Sequence, residues 1–215
     1  MSTRSGLAVV ALASVLGSAA VAEEWSPADL QGLLAPPRPV APKARVTPAE
    51  VRLVWTDPSG AAAGLEPLAR AEAEGLLRAM GVPVKWRRGG ARELSRRGEV
   101  RVILLDPPAT REHGAPVLGA TPPSFAVAPY VWVHLPGLRS SLGLVRGQAV
   151  RRGRWAAQAL GVAVGRVIAH EVVHALAPSV PHGTGLMSSA LTRRQLTAPS
   201  IPFDSEVALA LQAAV

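Results

Sequence analysis

The segment 156–177 constrains the fold of this chain most, because it combines helical spacing with apolar residues on nearly every side. A helix of this kind is either buried in a protein core or crosses a membrane. Four ionisable residues interrupt it: Arg166, His170, Glu171 and His174. Buried polar groups need partners. We therefore expect a core helix in which these four side chains form hydrogen bonds, form ion pairs or belong to a functional site.

This helix is predicted to span 148–177, with a break near Gly153 and a stop at Pro178. The residues before it alternate between strand and helix signals, and the residues after it are helical. Strands are predicted at 51–56, 82–87, 100–105, 116–120 and 130–135, and further helices at 65–80 and 204–214, the last one capped by Asp204 or Ser205. The polar stretch 88–97 is predicted to be a loop. The predicted fold class is α+β.

The first 22 residues have the pattern of a secretory signal peptide. Arg4 precedes an uncharged run at 7–22 that ends in Ala20-Val21-Ala22. A run of about 16 residues is short for a membrane span, so we expect cleavage after Ala22 and no membrane span in the mature chain. The prolines of 23–48 predict an extended linker or arm. The domain is expected to occupy 49–215.

The composition limits which kinds of functional site the chain can contain. The chain has no cysteine, which excludes disulfides, cysteine-ligated zinc and cysteine nucleophiles. Its formal net charge is +8, but the arginines are spread along the chain in pairs separated by apolar elements. We therefore expect a solvated basic surface and no specific nucleic-acid partner, with binding to anionic envelope polymers as an alternative. Export without cysteine is consistent with a bacterial periplasmic or secreted protein.

The chemistry lies in the motif His170-Glu171-Val172-Val173-His174. Residues four apart on a helix share a face, so both imidazoles can reach one metal ion. Zinc binds neutral imidazole nitrogens, and Glu171, about 100° around the helix from His170, stands beside such an ion. The pattern therefore predicts a Zn²⁺ site in which Glu171 is the general base for metal-activated water. The alternative is a histidine pair satisfied within the core.

A catalytic zinc usually has three protein ligands and one open position. His182 is the predicted third ligand, because the proline-bounded turn before it can bring the chain back towards the ion. Glu206 on the last helix is the alternative, followed by Asp204. His113 and His134 are predicted to be surface or strand-end histidines rather than ligands.

The motif, the later histidine and Gly185-Leu186-Met187-Ser188 together resemble the metzincin zinc metallopeptidases, in particular the matrixin-like branch. The resemblance extends over 49–215, but only 170–188 is specific. It implies a small twisted mixed sheet with a backing helix and an active-site helix, followed by a short C-terminal helical subdomain. It also implies that Met187 forms an apolar floor beneath the metal. A substrate peptide would lie extended along an edge strand, for which 116–120 is the candidate.

The loop after the motif departs from that family. Metzincins have glycine three residues after the second histidine and the third ligand three residues later, where this chain has Ala177 and Val180. His182 lies two residues beyond the usual place, and Met187 follows it by five. We therefore expect a loop of different shape around the third ligand.

These observations predict an exported zinc-dependent endopeptidase that hydrolyses a peptide or protein substrate. His170, His174 and His182 are its predicted zinc ligands, and Glu171 is its catalytic base. The alternative is an exported zinc-binding structural or binding protein without catalysis, whose ion would have a closed shell of four protein ligands. An open ligand position on the metal distinguishes the endopeptidase from the non-catalytic zinc protein.

Overall fold

The computed structural model describes residues 50–93, 95–96, 98–107, 117–122, 129–144 and 149–215, without the side chains of 149–152. The predicted signal peptide, the linker at 23–48, His113 and Pro116 lie outside the described residues. The described part is a mixed α and β structure with five strands and five α-helices, consistent with the predicted α+β class.

Five strands form one mixed sheet: β1 at Val51–Thr56, β2 at Val84–Arg88, β3 at Glu99–Leu105, β4 at Gly119–Ala120 and β5 at Tyr130–His134. Their order is β2-β1-β3-β5-β4. The first four strands in that order are parallel, and β4 runs antiparallel to β5 at the edge. The predicted edge strand is therefore confirmed at Gly119–Ala120. β3 is buried along most of its length, as its continuous apolar run predicts.

The helices are α1 at Glu66–Ala79, α2 at Leu135–Ser141, α3 at Ala149–Leu176, α4 at Arg193–Thr197 and α5 at Ser205–Ala213, with a 3₁₀ turn at Gly185–Met187. The predicted helices correspond to α1, α3 and α5 within one residue at each end. Asp204 occupies the N-cap position of α5 but makes no capping hydrogen bond through its side chain. The prediction missed α2 and α4.

The prediction that β5 continues to Leu135 is wrong, because His134 starts a helix. Its Nδ1 accepts a hydrogen bond from the Gly137 backbone N–H at 3.1 Å. Pro136 lies in the first turn of α2, where the missing N–H of proline has no helical partner to lose. His134 is therefore the strand-end histidine expected from the sequence, and it serves as a helix cap.

α3 lies at the centre of the core and packs against α1 and the sheet. A Cβ at Gly165 would lie 2.6 Å from the Ala69 carbonyl oxygen, so this glycine permits the close approach of α1. The stretch Gly153–Leu176 is long and apolar enough to cross a membrane, but 78% of its most apolar part is buried inside the protein. The predicted core helix is thus confirmed, as is its break at Gly153, where φ is +44°.

Arg166 shows how a charge is accommodated within this helix. Its side chain is 1% exposed, and its Nε donates to Glu72 Oε1 of α1 at 2.7 Å. The two terminal nitrogens donate to the carbonyl oxygens of Gln195 and Ala198, the latter at 2.7 Å. A buried cation is tolerated only when it is satisfied in this way. Arg166 therefore joins α1 and α3 to the C-terminal segment that carries α4.

Glu99, at the start of β3, is a second buried charge. Its carboxylate accepts hydrogen bonds from Arg87 Nε at 2.9 Å and Nη2 at 2.7 Å, and from the Arg96 backbone N–H at 2.8 Å. The Arg87 hydrogen bond lowers the pKa of Glu99 from 4.5 to about 2, although burial opposes this shift. The ionised carboxylate thus links the loop after β2 to the sheet.

Glu99→Gln is expected to lower the free energy of unfolding at pH 7 by about 1–3 kcal/mol, as for other hydrogen bonds to charged groups. Because the folded pKa is depressed, the stabilisation is present above pH 4.5 and is lost as pH falls through about 2. Urea denaturation should show the difference from the parent narrowing over that interval. As a control, Glu74→Gln breaks an exposed pair with Arg78 and should cost less than about 0.5 kcal/mol. A pH-independent difference would contradict this account.

Candidate metal centre

His170 and His174 project from the same face of α3, one turn apart. Their ring centroids are 4.8 Å apart. His170 is 7% exposed, and His174 is partly buried. The helical spacing therefore brings both imidazoles to one place, as the sequence predicts.

His182 reaches the pair after a tight turn. α3 ends at Leu176, and the Val180 backbone N–H donates to the Ala177 carbonyl oxygen at 3.0 Å, which reverses the chain. The His182 ring then lies 4.7 Å from that of His174 and 5.4 Å from that of His170. A glycine-free turn, two residues longer than the metzincin spacing, thus returns a histidine to the same face.

The three imidazoles have the geometry of a metal-binding group. One ring nitrogen of each lies within 4.8 Å of the other two. The Nε2 atoms of His174 and His182 are 3.2 Å apart. Two nitrogens on one tetrahedral zinc, each about 2.0–2.1 Å away, would be about 3.3 Å apart. The three histidines can therefore hold a metal ion, and the spacing of the His174 and His182 nitrogens is compatible with zinc.

The protonation of the rings also suits a metal. Burial lowers the pKa of His174 to about 4, with a further contribution from the neighbouring rings of His170 and His182. Burial likewise lowers the pKa of His170. His170 Nδ1 lies 2.7 Å from the Leu186 carbonyl oxygen, so this nitrogen carries the proton. Nε2 is then unprotonated, and its lone pair can bind a metal ion. Neutral imidazoles are the form that binds metal ions.

Glu171 lies beside the three histidines but outside their ligand group. It is 7% exposed, and its Oε2 accepts a hydrogen bond from Thr121 Oγ1 at 2.8 Å. A Cβ at Gly119 of β4 would lie 2.7 Å from Val167 Cγ1 and 3.0 Å from Glu171 Oε1, so glycine lets the edge strand approach the helix and the carboxylate closely. Burial raises the pKa of Glu171, and the Thr121 hydrogen bond and His182 partly offset this effect. The carboxylate is thus held between the edge strand and the histidines.

The 3₁₀ turn Gly185–Met187 lies next to the centre in the chain and contacts it through Leu186. Gly185 has φ +57°, and a Cβ there would lie 2.1 Å from the Pro202 carbonyl oxygen, so only glycine fits. Met187 is buried in the core. The turn therefore presents the Leu186 carbonyl to His170 from a fixed backbone conformation.

The alternative ligands considered from the sequence do not join the group. Glu206 is exposed in the first turn of α5, and Asp204 is exposed at its N-cap position. Neither belongs to the ligand group formed by the described residues, and His134 caps α2. Of the candidates, the structure brings together His170, His174 and His182.

Two cavities adjoin the centre, and His170 and Glu171 line both of them. One, of about 570 Å³, contains His174, His182, Thr121 and Pro178 in its wall. The other, of about 330 Å³, extends from His170 and Glu171 between apolar side chains, which include Leu118, Val167 and Leu191. The histidines and the carboxylate are therefore accessible from a cleft.

No protein-family model matches this sequence, and no characterised protein matches it significantly. Its function must therefore be inferred from the residues and their geometry. The three histidines and Glu171 carry the most specific chemistry in the described part of the chain.

His182→Ala is expected to weaken zinc binding by more than about 100-fold, because loss of a direct ligand exceeds the 10- to 100-fold effect of a lost outer partner. Competition with a fluorescent chelator measures the affinity. Glu206→Gln serves as the matched control, since Glu206 is exposed and outside the ligand group, and it should leave the affinity unchanged. Unchanged affinity in His182→Ala, or weakened affinity in Glu206→Gln, would contradict the assignment of the third ligand.

Proposed function

We propose that this protein is an exported zinc-dependent endopeptidase of metzincin-like type. One observation carries the proposal: three imidazole nitrogens converge while the carboxylate of Glu171 stands beside them without joining them. The observation supports the proposal because catalytic zinc sites typically have three protein ligands and one open position. The resemblance of 170–188 to metzincins and the signal-like N-terminus support the proposal further.

In the proposed reaction, the three histidines bind the metal and Glu171 transfers protons. His170, His174 and His182 would hold the ion, and when bound, zinc supplies a Lewis acid that acidifies water and polarises a carbonyl. Glu171 takes a proton from the attacking water and delivers it to the departing amine nitrogen. Burial raises the pKa of Glu171, which makes its carboxylate a stronger base towards the proton of water.

The edge strand β4 offers a place for the substrate backbone. On the side away from β5, β4 has no neighbouring strand among the described residues. An extended peptide can add to such an edge through main-chain hydrogen bonds. A peptide bound along Gly119–Ala120 would lie next to Glu171, which packs against Gly119. We propose this edge as the substrate-binding strand.

The smaller cavity provides a site for one substrate side chain. Its volume is about 330 Å³, and Leu118, Val167 and Leu191 form apolar walls beside His170 and Glu171. Burial of an apolar side chain there is favourable by roughly 1.5–3 kcal/mol. We propose that cleavage occurs next to an apolar substrate residue.

Glu171→Gln should abolish hydrolysis while retaining zinc, because it removes the base and leaves the three ligands intact. General-base catalysis contributes roughly 10²- to 10⁴-fold, so the rate should fall by at least that range. Cleavage of an unbiased peptide library, followed by mass spectrometry, measures the activity, and Glu206→Gln is again the matched control. Retained turnover in Glu171→Gln would refute the assigned base. Zinc binding without cleavage by the parent would instead favour the non-catalytic zinc protein.

Thr121→Val should lower kcat and leave KM and zinc affinity unchanged, because valine keeps the shape but cannot donate to Glu171 Oε2. Loss of about 1–2 kcal/mol of hydrogen-bond energy corresponds to about a 5- to 30-fold effect. Thr121→Ser retains the hydroxyl and should restore most of kcat. Equal activities of the valine and serine variants would show that the hydroxyl has no part in orienting the base.

A further inference from the structure

We infer that Gln195 is a positioning residue of the metal centre, which it holds in place through the turn at 185–188. The inference rests on the proposed metal site but not on the proposed hydrolysis. Gln195 lies on α4, and its amide contacts neither the histidines nor Glu171 among the described hydrogen bonds. Its effect is transmitted by three consecutive links, each a hydrogen bond between named atoms.

The first link joins the turn to a ligand. His170 Nδ1 donates to the Leu186 carbonyl oxygen at 2.7 Å, and this bond sets both the tautomer and the orientation of the ring. The His170 ring makes no other hydrogen bond among the described residues. The direction of its free nitrogen therefore depends on where the Leu186 carbonyl lies.

The second link joins Gln195 to the turn. Its Nε2 donates to the Gly185 carbonyl oxygen at 3.2 Å and to Ser188 Oγ at 2.8 Å, at the two ends of the 3₁₀ turn. The orientation of the amide is determined by the network, because Oε1 accepts from the Thr192 backbone N–H at 2.9 Å. One side-chain amide thus clamps the residues that flank Leu186.

The third link returns to the helix that carries the ligands. The buried guanidinium of Arg166 donates to the carbonyl oxygens of Gln195 and Ala198. Arg166 lies one turn before His170 on α3. Hydrogen bonds therefore connect α3 to α4, α4 to the turn, and the turn back to His170 on α3. The orientation of the His170 ring therefore depends on contacts outside its own helix.

The capping box of α4 lets the two roles of Gln195 be separated. Oε1 serves the cap, where Thr192 Oγ1 also accepts from the Gln195 backbone N–H, whereas Nε2 serves the turn. Glutamate at position 195 can still complete a capping box, but it cannot donate to the Gly185 carbonyl. Thr192→Val removes the capping hydroxyl, which also donates to Oε1 at 2.8 Å, but Oε1 keeps the Thr192 backbone N–H at 2.9 Å and Nε2 keeps both its acceptors.

Zinc affinity of the parent, Gln195→Glu and Thr192→Val, measured by competition with a fluorescent chelator, tests the inference. We expect Gln195→Glu to weaken zinc binding about 10-fold, the lower end of the effect of losing a direct outer partner such as the Leu186 carbonyl, and Thr192→Val to change it by less than about threefold. The visible spectrum of the cobalt(II)-substituted protein should shift in the first variant alone. Should Gln195→Glu fail to fold, Gln195→Met removes both roles of the amide without adding a charge, and Thr192→Val then shows how much of its effect comes from the cap alone.

The other outcomes separate failure of this inference from failure of the proposed metal site and of the proposed hydrolysis. Parent-like affinity and spectrum in Gln195→Glu would overturn it, and equal weakening in both variants would show that α4 acts only through its stability. A parent that binds no zinc would remove the metal site itself. A parent that binds zinc but cleaves no peptide would overturn the proposed hydrolysis alone, and the test of Gln195 would stand.

Discussion

Burial of α3 is the constraint on which the rest of the structure depends. The helix is apolar on nearly every side, so α1, the sheet and the C-terminal segment all cover it. Each polar group that it carries into the core must find a partner, because an unsatisfied buried group is costly. Arg166 finds Glu72 and two carbonyls, His170 finds the Leu186 carbonyl, and Glu171 finds Thr121. The contacts that satisfy the buried polar groups of α3 therefore also position the side chains of the candidate site.

These contacts surround the histidines on two sides. On one side, the edge strand supplies Gly119, which leaves space for the Glu171 carboxylate, and the nearby hydroxyl of Thr121, which orients it. On the other side, the 3₁₀ turn supplies the carbonyl that orients His170. A rigid outer layer of this kind is what a metal centre requires, since ligands left free to rotate lose affinity. The arrangement separates the proposed base from the proposed ligands, although they are neighbours in the sequence.

The sequence predicts the elements whose signals are local. The helical spacing of α3, the pair His170 and His174, and the return of His182 after its proline-bounded turn all follow from residues close together in the chain. α2 was missed because a histidine cap resembles the end of a strand. The capping box Thr192-Arg193-Arg194-Gln195 was a readable signal for α4. Thr121 lies 50 residues from Glu171, and no local pattern can show that the two meet.

X-ray absorption spectroscopy of the zinc-loaded protein tests the central claim most directly, because it counts the atoms bound to the metal and measures their distances. The account predicts three histidine nitrogens at about 2.0–2.1 Å and one further light atom from solvent. That atom should be displaced when a hydroxamate is added, which would give a second, independent sign of an open position. Four protein ligands, or a metal bound without histidine, would contradict the account and make the site structural rather than catalytic.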